Sequence, residues 1–218
     1  MSNLARVFLL AAAALAGGCA KGPGGLPYDA WYLGFLAPSY MDVWIESAVV
    51  MDTREQTFSE SGGGLASIRN PPGLDVDPAG WSRYHGWGKG KHIRGAAMPR
   101  WIYVRWQSLV EPQTYEALIF IDDATRKAMV KPEKTFCDFD GKWITDYRDG
   151  IGIGLAPGGI ARATISGQCL PDQVVARVQG QVVKLGPDQG RSGGEYALPP
   201  SPASQAYIKK HGIPYGSW

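Results

Sequence analysis

Glycine (29) and proline (16) together make up about a fifth of the 218 residues, and they recur along the whole chain. Proline removes a backbone donor and glycine loosens the backbone, so neither fits a long helix interior. An all-α bundle is therefore excluded. The aromatic side chains (8 Trp, 10 Tyr, 6 Phe) suit a pleated, half-buried surface. With 44% hydrophobic and 19% charged residues the chain is no disordered tail. Lys+Arg number 22 against 20 Asp+Glu, a net of +2, which offers no basic surplus for nucleic acid. The expected fold is mainly β with two short helices, a single antiparallel β-sandwich-like or curved-sheet domain over residues 31–218.

Residues 1–18 read as a lipoprotein signal peptide rather than as part of that domain. Arg6 is the one charge before the apolar run Val7 to Ala16, and the segment closes Leu15-Ala16-Gly17-Gly18-Cys19. The run is too short for a stop-transfer helix. A cysteine after small residues resembles the bacterial lipobox, whose Cys is acylated and becomes the first mature residue. Leu15 stands one place earlier than the usual leucine. The alternative is an ordinary signal cut near Ala16 that leaves Cys19 as a thiol. Ala20 after the cysteine favours sorting to the outer membrane. Residues 19–30 follow as a flexible Gly/Pro tether, so the expected attachment is to a membrane through N-terminal lipid. Cys137 and Cys169 remain, an even pair that an oxidising compartment links. Two buried free thiols are the alternative.

Trp31–Leu36 and Val43–Met51 read as strands. Trp101–Gln107 and Thr114–Ile121 form a hairpin around Glu111-Pro112, and Ile151–Leu155 and Ile160–Ser166 a second around Pro157-Gly158-Gly159. Asp122 or Asp123 caps a short helix through Val130, and Ser201-Pro202 opens another that Gly212 ends. Val174–Leu185 alternates as one half-buried strand. Residues 52–98 give no continuous pattern.

Chemistry is sparse. Gly190-Arg191-Ser192-Gly193-Gly194 matches the hydrolase turn Gly-x-Ser-x-Gly, with Glu195 and His211 in order behind it. That turn must join a strand to a helix, whereas Leu198-Pro199-Pro200 follows, so no enzyme is expected. His85 and His92 lie with Asp75 and Asp77 at no metal-ligand spacing, and neither metal nor cofactor is expected. Asp138 and Asp140 belong to a turn with Gly141. Lys89, Lys91 and Arg94 form a small basic run on a glycine-rich loop. Trp81, Tyr84 and Trp87 are either a satellite core or, with Arg94, an anchor for a protein partner.

Tyr32-Leu33-Gly34-Phe35-Leu36-Ala37-Pro38, Tyr103 to Tyr115, Gly154-Leu155-Ala156-Pro157-Gly158-Gly159 and His211-Gly212-Ile213-Pro214-Tyr215, set behind a lipobox, resemble a bacterial lipoprotein family catalogued as "domain of unknown function 2931". The resemblance implies a cell-envelope lipoprotein without established activity, on the periplasmic face of the outer membrane. Members encoded beside type VI secretion phospholipase effectors imply an immunity protein. The expected function is thus protein binding by a monomer, with a lipase effector as partner. The alternative is a housekeeping envelope lipoprotein that binds lipid, glycan or an envelope protein.

Cys19 carries the first prediction. Wild-type protein is expected to take up labelled palmitate and to accumulate as a lipidated precursor under globomycin. Cys19→Ala is expected to abolish both, and either to release the protein or to strand it as the uncleaved precursor. Unlabelled wild type, with the variant still sedimenting with membrane, contradicts it.

Overall fold

The computed structural model describes residues 22–60, 63–74, 78, 80, 81 and 89–218. In chain order its strands and helices are β1 (Ala30–Leu36), β2 (Val43–Asp52), β3 (Thr57–Glu60), β4 (Gly64–Leu65), β5 (Gly90–Arg94), β6 (Pro99–Ser108), β7 (Gln113–Phe120), α1 (Asp123–Val130), β8 (Glu133–Cys137), β9 (Lys142–Asp146), β10 (Gly150–Ala156), β11 (Ile160–Ser166), β12 (Gln173–Gln179), β13 (Gln181–Val182) and α2 (Pro202–His211). One sheet runs β12-β11-β10-β1-β5, and a second runs β13-β7-β6-β2-β3 with β4 also on β2. β8 and β9 stand apart as a two-stranded ribbon. The expected mainly-β architecture with two helices is what forms. Among the described residues the named strands pair antiparallel except β1 and β10, which run parallel, and Leu36 makes an isolated parallel bridge to Ser67.

Period-two burial explains the layering. In β1, Trp31, Leu33 and Phe35 are buried, and across the sheet Ile151, Ile153 and Leu155 of β10 face the same way. From the second sheet Ile45, Val50, Ile102, Val104, Trp106 and Ile119 meet them in one continuous core. Met129 of α1 closes it on one side. The helix begins where sequence chemistry requires: the Asp122 carboxylate accepts the Thr125 N–H at 2.7 Å. α2 starts on Ser201, whose Oγ accepts from Ser204 N at 3.3 Å. It covers a smaller cluster in which Tyr207 stacks on Tyr40 at 4.4 Å.

Three expectations need correction. The segment 174–185 is not one strand. It leaves the first sheet after Gln179 and joins β7 of the second as β13. Gly180 is the crossing point, where its N–H donates to Gly159 O at 2.7 Å. A side chain there would meet Trp106 at 2.7 Å and two main-chain oxygens at 3.0 Å. Alternation alone cannot report a change of sheet, because the pleat continues through it. Second, two of the three residues of the basic run, Lys91 and Arg94, lie not on a loop but in β5, at the edge of the first sheet, with Lys91 Nζ on Ser59 O at 2.8 Å. Third, the expected tether does not run through residue 30. Leu26 is 3% exposed in the core, and the Tyr28 hydroxyl donates to Met129 O at 3.4 Å, because both side chains gain by leaving water.

Gly180→Ala is expected to destabilise the fold by about 1–3 kcal/mol, the usual cost of overpacking. Chemical denaturation checks this, and an unchanged midpoint would refute the crossing geometry.

Candidate functional site

The β8–β9 ribbon belongs to neither core sheet, so one of its faces has nothing to pack on. Along β8 burial alternates: Glu133, Thr135 and Cys137 turn inward while Lys134 and Phe136 turn outward. Phe136 pairs in register with Trp143, and their rings meet edge to face at 5.9 Å. The turn closes through Asp140-Gly141, where the N–H groups of both residues donate to Cys137 O at 3.1 and 2.8 Å. Gly141 takes a φ of 65°, the left-handed conformation that favours glycine. Phe139, at the tip, is 91% exposed, Trp143 70% and Phe136 45%. Single exposed apolar residues are ordinary, whereas three large aromatics on one short ribbon form a patch of the kind that marks interaction sites.

The inner face is fastened to the loop after β11. Cys137 and Cys169 form the expected disulfide, with Cα atoms 5.1 Å apart. Beside it the Thr135 hydroxyl donates to Cys169 O at 3.2 Å, and Cys169 N donates to the Asp146 carboxylate at 2.8 Å. Buried Arg148 pairs with Glu133 and reaches Pro171 O at 3.4 Å. A two-stranded ribbon alone is marginal in water. Covalent and polar ties to the sandwich hold this one in place and keep its aromatic face presented.

The residues singled out from sequence have different settings. Trp81 is half-buried, packed over Gly154, where a Cβ would fall 2.5 Å from the indole. The Arg162 guanidinium lies 4.3 Å from its ring centroid. Burial pulls the Arg162 pKa down to about 10, against the opposing pull of Asp172. Tyr84, Trp87, Cys19, His85, Asp75 and Asp77 lie outside the described residues. Arg94 is exposed at the end of β5, opposite Ala30. The structure thus does not gather Trp81 and Arg94 into one exposed patch. Ser192 and Glu195 line a cavity of about 330 Å³ with Trp44, Glu46 and Gln107. His211 is not among its walls and instead sits on α2 with Nε2 3.1 Å from Leu74 O. No helix follows Ser192 directly. Among the described residues no cluster of His, Cys, Asp or Glu has a metal-holding arrangement, and no helix is long and apolar enough to cross a membrane.

Phe136, Phe139 and Trp143 escaped the sequence reading. Their signal is the Asp140-Gly141 turn between Lys134-Thr135-Phe136-Cys137 and Lys142-Trp143-Ile144-Thr145, a hairpin pattern that the turn alone only half declares.

The family described as Protein of unknown function (DUF2931) matches residues 17–216, and the chain belongs to it. No curated protein and no solved structure matches the chain.

Replacing Cys137 and Cys169 together by Ala opens a link across 32 residues of sequence. The chain-entropy argument predicts a loss of about 3–4 kcal/mol. Urea denaturation of the double variant against wild type, with and without reductant, measures it; reductant is expected to move only the wild type.

Proposed function

We propose that this chain is an envelope lipoprotein, attached through acylated Cys19 and acting by protein binding on the periplasmic side of the outer membrane, as an immunity protein against a type VI secretion lipase effector. It acts without catalysis of its own. One observation carries the binding reading: the ribbon β8–β9 holds Phe136, Phe139 and Trp143 in water on a support fastened by a disulfide. Leaving three rings exposed forgoes several kcal/mol of burial that a rearranged core would recover. Aromatic anchors on a rigid support are the usual centre of an interface.

The charges around the patch favour a protein over a bilayer as the occupant. Asp138 and Asp140 flank Phe139 at the tip, where anionic headgroups would repel them, while exposed Lys134 and Lys142 stand along the strands. The complementary partner presents an apolar cleft whose rim carries basic groups toward the tip and acidic groups toward the strands. Such a partner, bound at the membrane surface, would be blocked before it met phospholipid.

The test is binding to, and protection against, a type VI secretion lipase effector. Phe139→Ala with Trp143→Ala is expected to weaken binding by about 30-fold or more, the effect of losing a hot spot. The thermal midpoint is expected to stay near wild type, since both rings are exposed. Trp81→Ala, by contrast, is expected to lower the midpoint, because the indole packs over Gly154. Full protection by the double variant contradicts docking through the ribbon. Transfer of wild type, but not the double variant, onto phospholipid vesicles would assign the patch to lipid instead.

A further inference from the structure

A second opening lies on the outer face of the first sheet, beside the loop that fastens the ribbon. It is a cavity of about 450 Å³, within the usual range of ligand sites. Its geometry follows from strand register. His92 of β5 is opposite Tyr32 of β1, Tyr32 is opposite Gly150 of β10, and Gly150 is opposite Ser166 of β11. Side chains in one cross-strand row share a face. Tyr32, His92 and Ser166 therefore converge around a position that has no side chain. The Tyr32 side chain leans over Gly90, where a Cβ would fall 2.5 Å from its hydroxyl. The Tyr32 and His92 rings meet edge to face at 5.1 Å. Asp149 and Gln168 complete the wall.

We propose that this cavity receives a guanidinium or ammonium group, with the Asp149 carboxylate as its counter-ion, Ser166 and Gln168 as acceptors and the Tyr32 ring as an aromatic wall. The inference stands on the cavity's own residues and goes beyond docking through the ribbon. Its core is a charge imbalance. Asp149 is half-buried, and among the described residues no lysine or arginine forms an ion pair with it. Asp146 adds repulsion, so burial first and Asp146 second push the Asp149 carboxyl above its ordinary value, opposed by its own backbone N–H and then by His92. Asp146 cannot turn away to relieve this. Its carboxylate accepts from Tyr147 N and Cys169 N, both at 2.8 Å, and it fills the space where a Cβ at Gly167 would stand. A cation seated between Asp149 and Tyr32 would supply the missing opposite charge. A guanidinium suits the place best, because its planar fork donates to several acceptors at once and lies well against an aromatic ring. An anion would meet Asp149 and be refused.

Titration of the mature protein with agmatine, followed through the His92 ring and Gln168 side-chain amide resonances, tests this. The expected result is saturable shifts in both. The neutral ureido isostere of agmatine is expected to bind at least about tenfold more weakly, as loss of a charge-assisted contact implies. Asp149→Asn is expected to lower agmatine affinity by a similar factor and to leave binding through the ribbon unchanged. A blocked Gly-Arg-Gly peptide run beside agmatine identifies the source. Tighter binding of the peptide assigns a partner protein's arginine, and tighter binding of agmatine assigns a free amine. Equal affinity for the ureido isostere, absence of saturable shifts with every cation, or selective saturation by methyl glucoside overturns the proposal. Because small molecules read the cavity and the effector reads the ribbon, the two can fail separately.

Discussion

Trp31, Phe35, Ile151 and Ile153 from one sheet press against Ile45, Ile102, Val104 and Trp106 from the other, and most of the molecule is arranged around that contact. Each large side chain withdrawn from water contributes roughly 1.5–3 kcal/mol, so this shared interior outweighs every surface feature. It also demands close approach. Gly180 carries the chain from the first sheet to the second directly beside Trp106, where a methyl group would not fit. Side-chain volume at the core and the absence of a side chain at the crossing are two halves of one requirement.

The two outer faces solve the same problem in opposite ways. On the second sheet a bulge at Glu46 turns that carboxylate toward Arg105, and Gln107 Nε2 and Asp188 N also donate to it at 2.8 and 2.7 Å. Arg105 in turn donates to Gly186 O at 2.7 Å. The segment after β13 is thereby held over the sheet by a buried, fully engaged ion pair. Removing one partner of such a pair costs far more than the pair contributes. On the first sheet the outer rows instead contain Gly34, Gly90, Gly150, Gly152 and Gly154. Without side chains to build outward, that face admits Trp81 at one end and opens into the Tyr32–Asp149 cavity at the other.

The ribbon β8–β9 and this cavity meet at the loop of residues 167–171. Cys169 joins the ribbon through its sulfur and its N–H, while Gln168, one residue earlier, lines the cavity. The proposed docking ribbon and the proposed cation site therefore share one supporting loop. Rigid presentation matters here, because ordering a loose ribbon on binding would offset much of what its aromatic rings contribute.

What the sequence determined by itself is local. Asp122 and Ser201 cap their helices through bonds spanning three residues, and the hairpin turns at Glu111-Pro112 and Pro157-Gly158-Gly159 bring together strands that adjoin in sequence. The even pair Cys137 and Cys169 admits a single intramolecular link, and that link forms. Each of these follows from residues a few positions apart or from the thiols alone. The remainder depended on partners distant along the chain. Nothing near Lys91 says that β1 will adopt it as an edge strand, and nothing near Val178 says that the chain changes sheets two residues on. Nor does any residue near Trp81 disclose that Gly154, far along the chain, leaves room beneath it. Exposure of Phe139 and Trp143 was equally hidden. Their composition is that of a core, and only the closure of the sandwich without them leaves both rings in water.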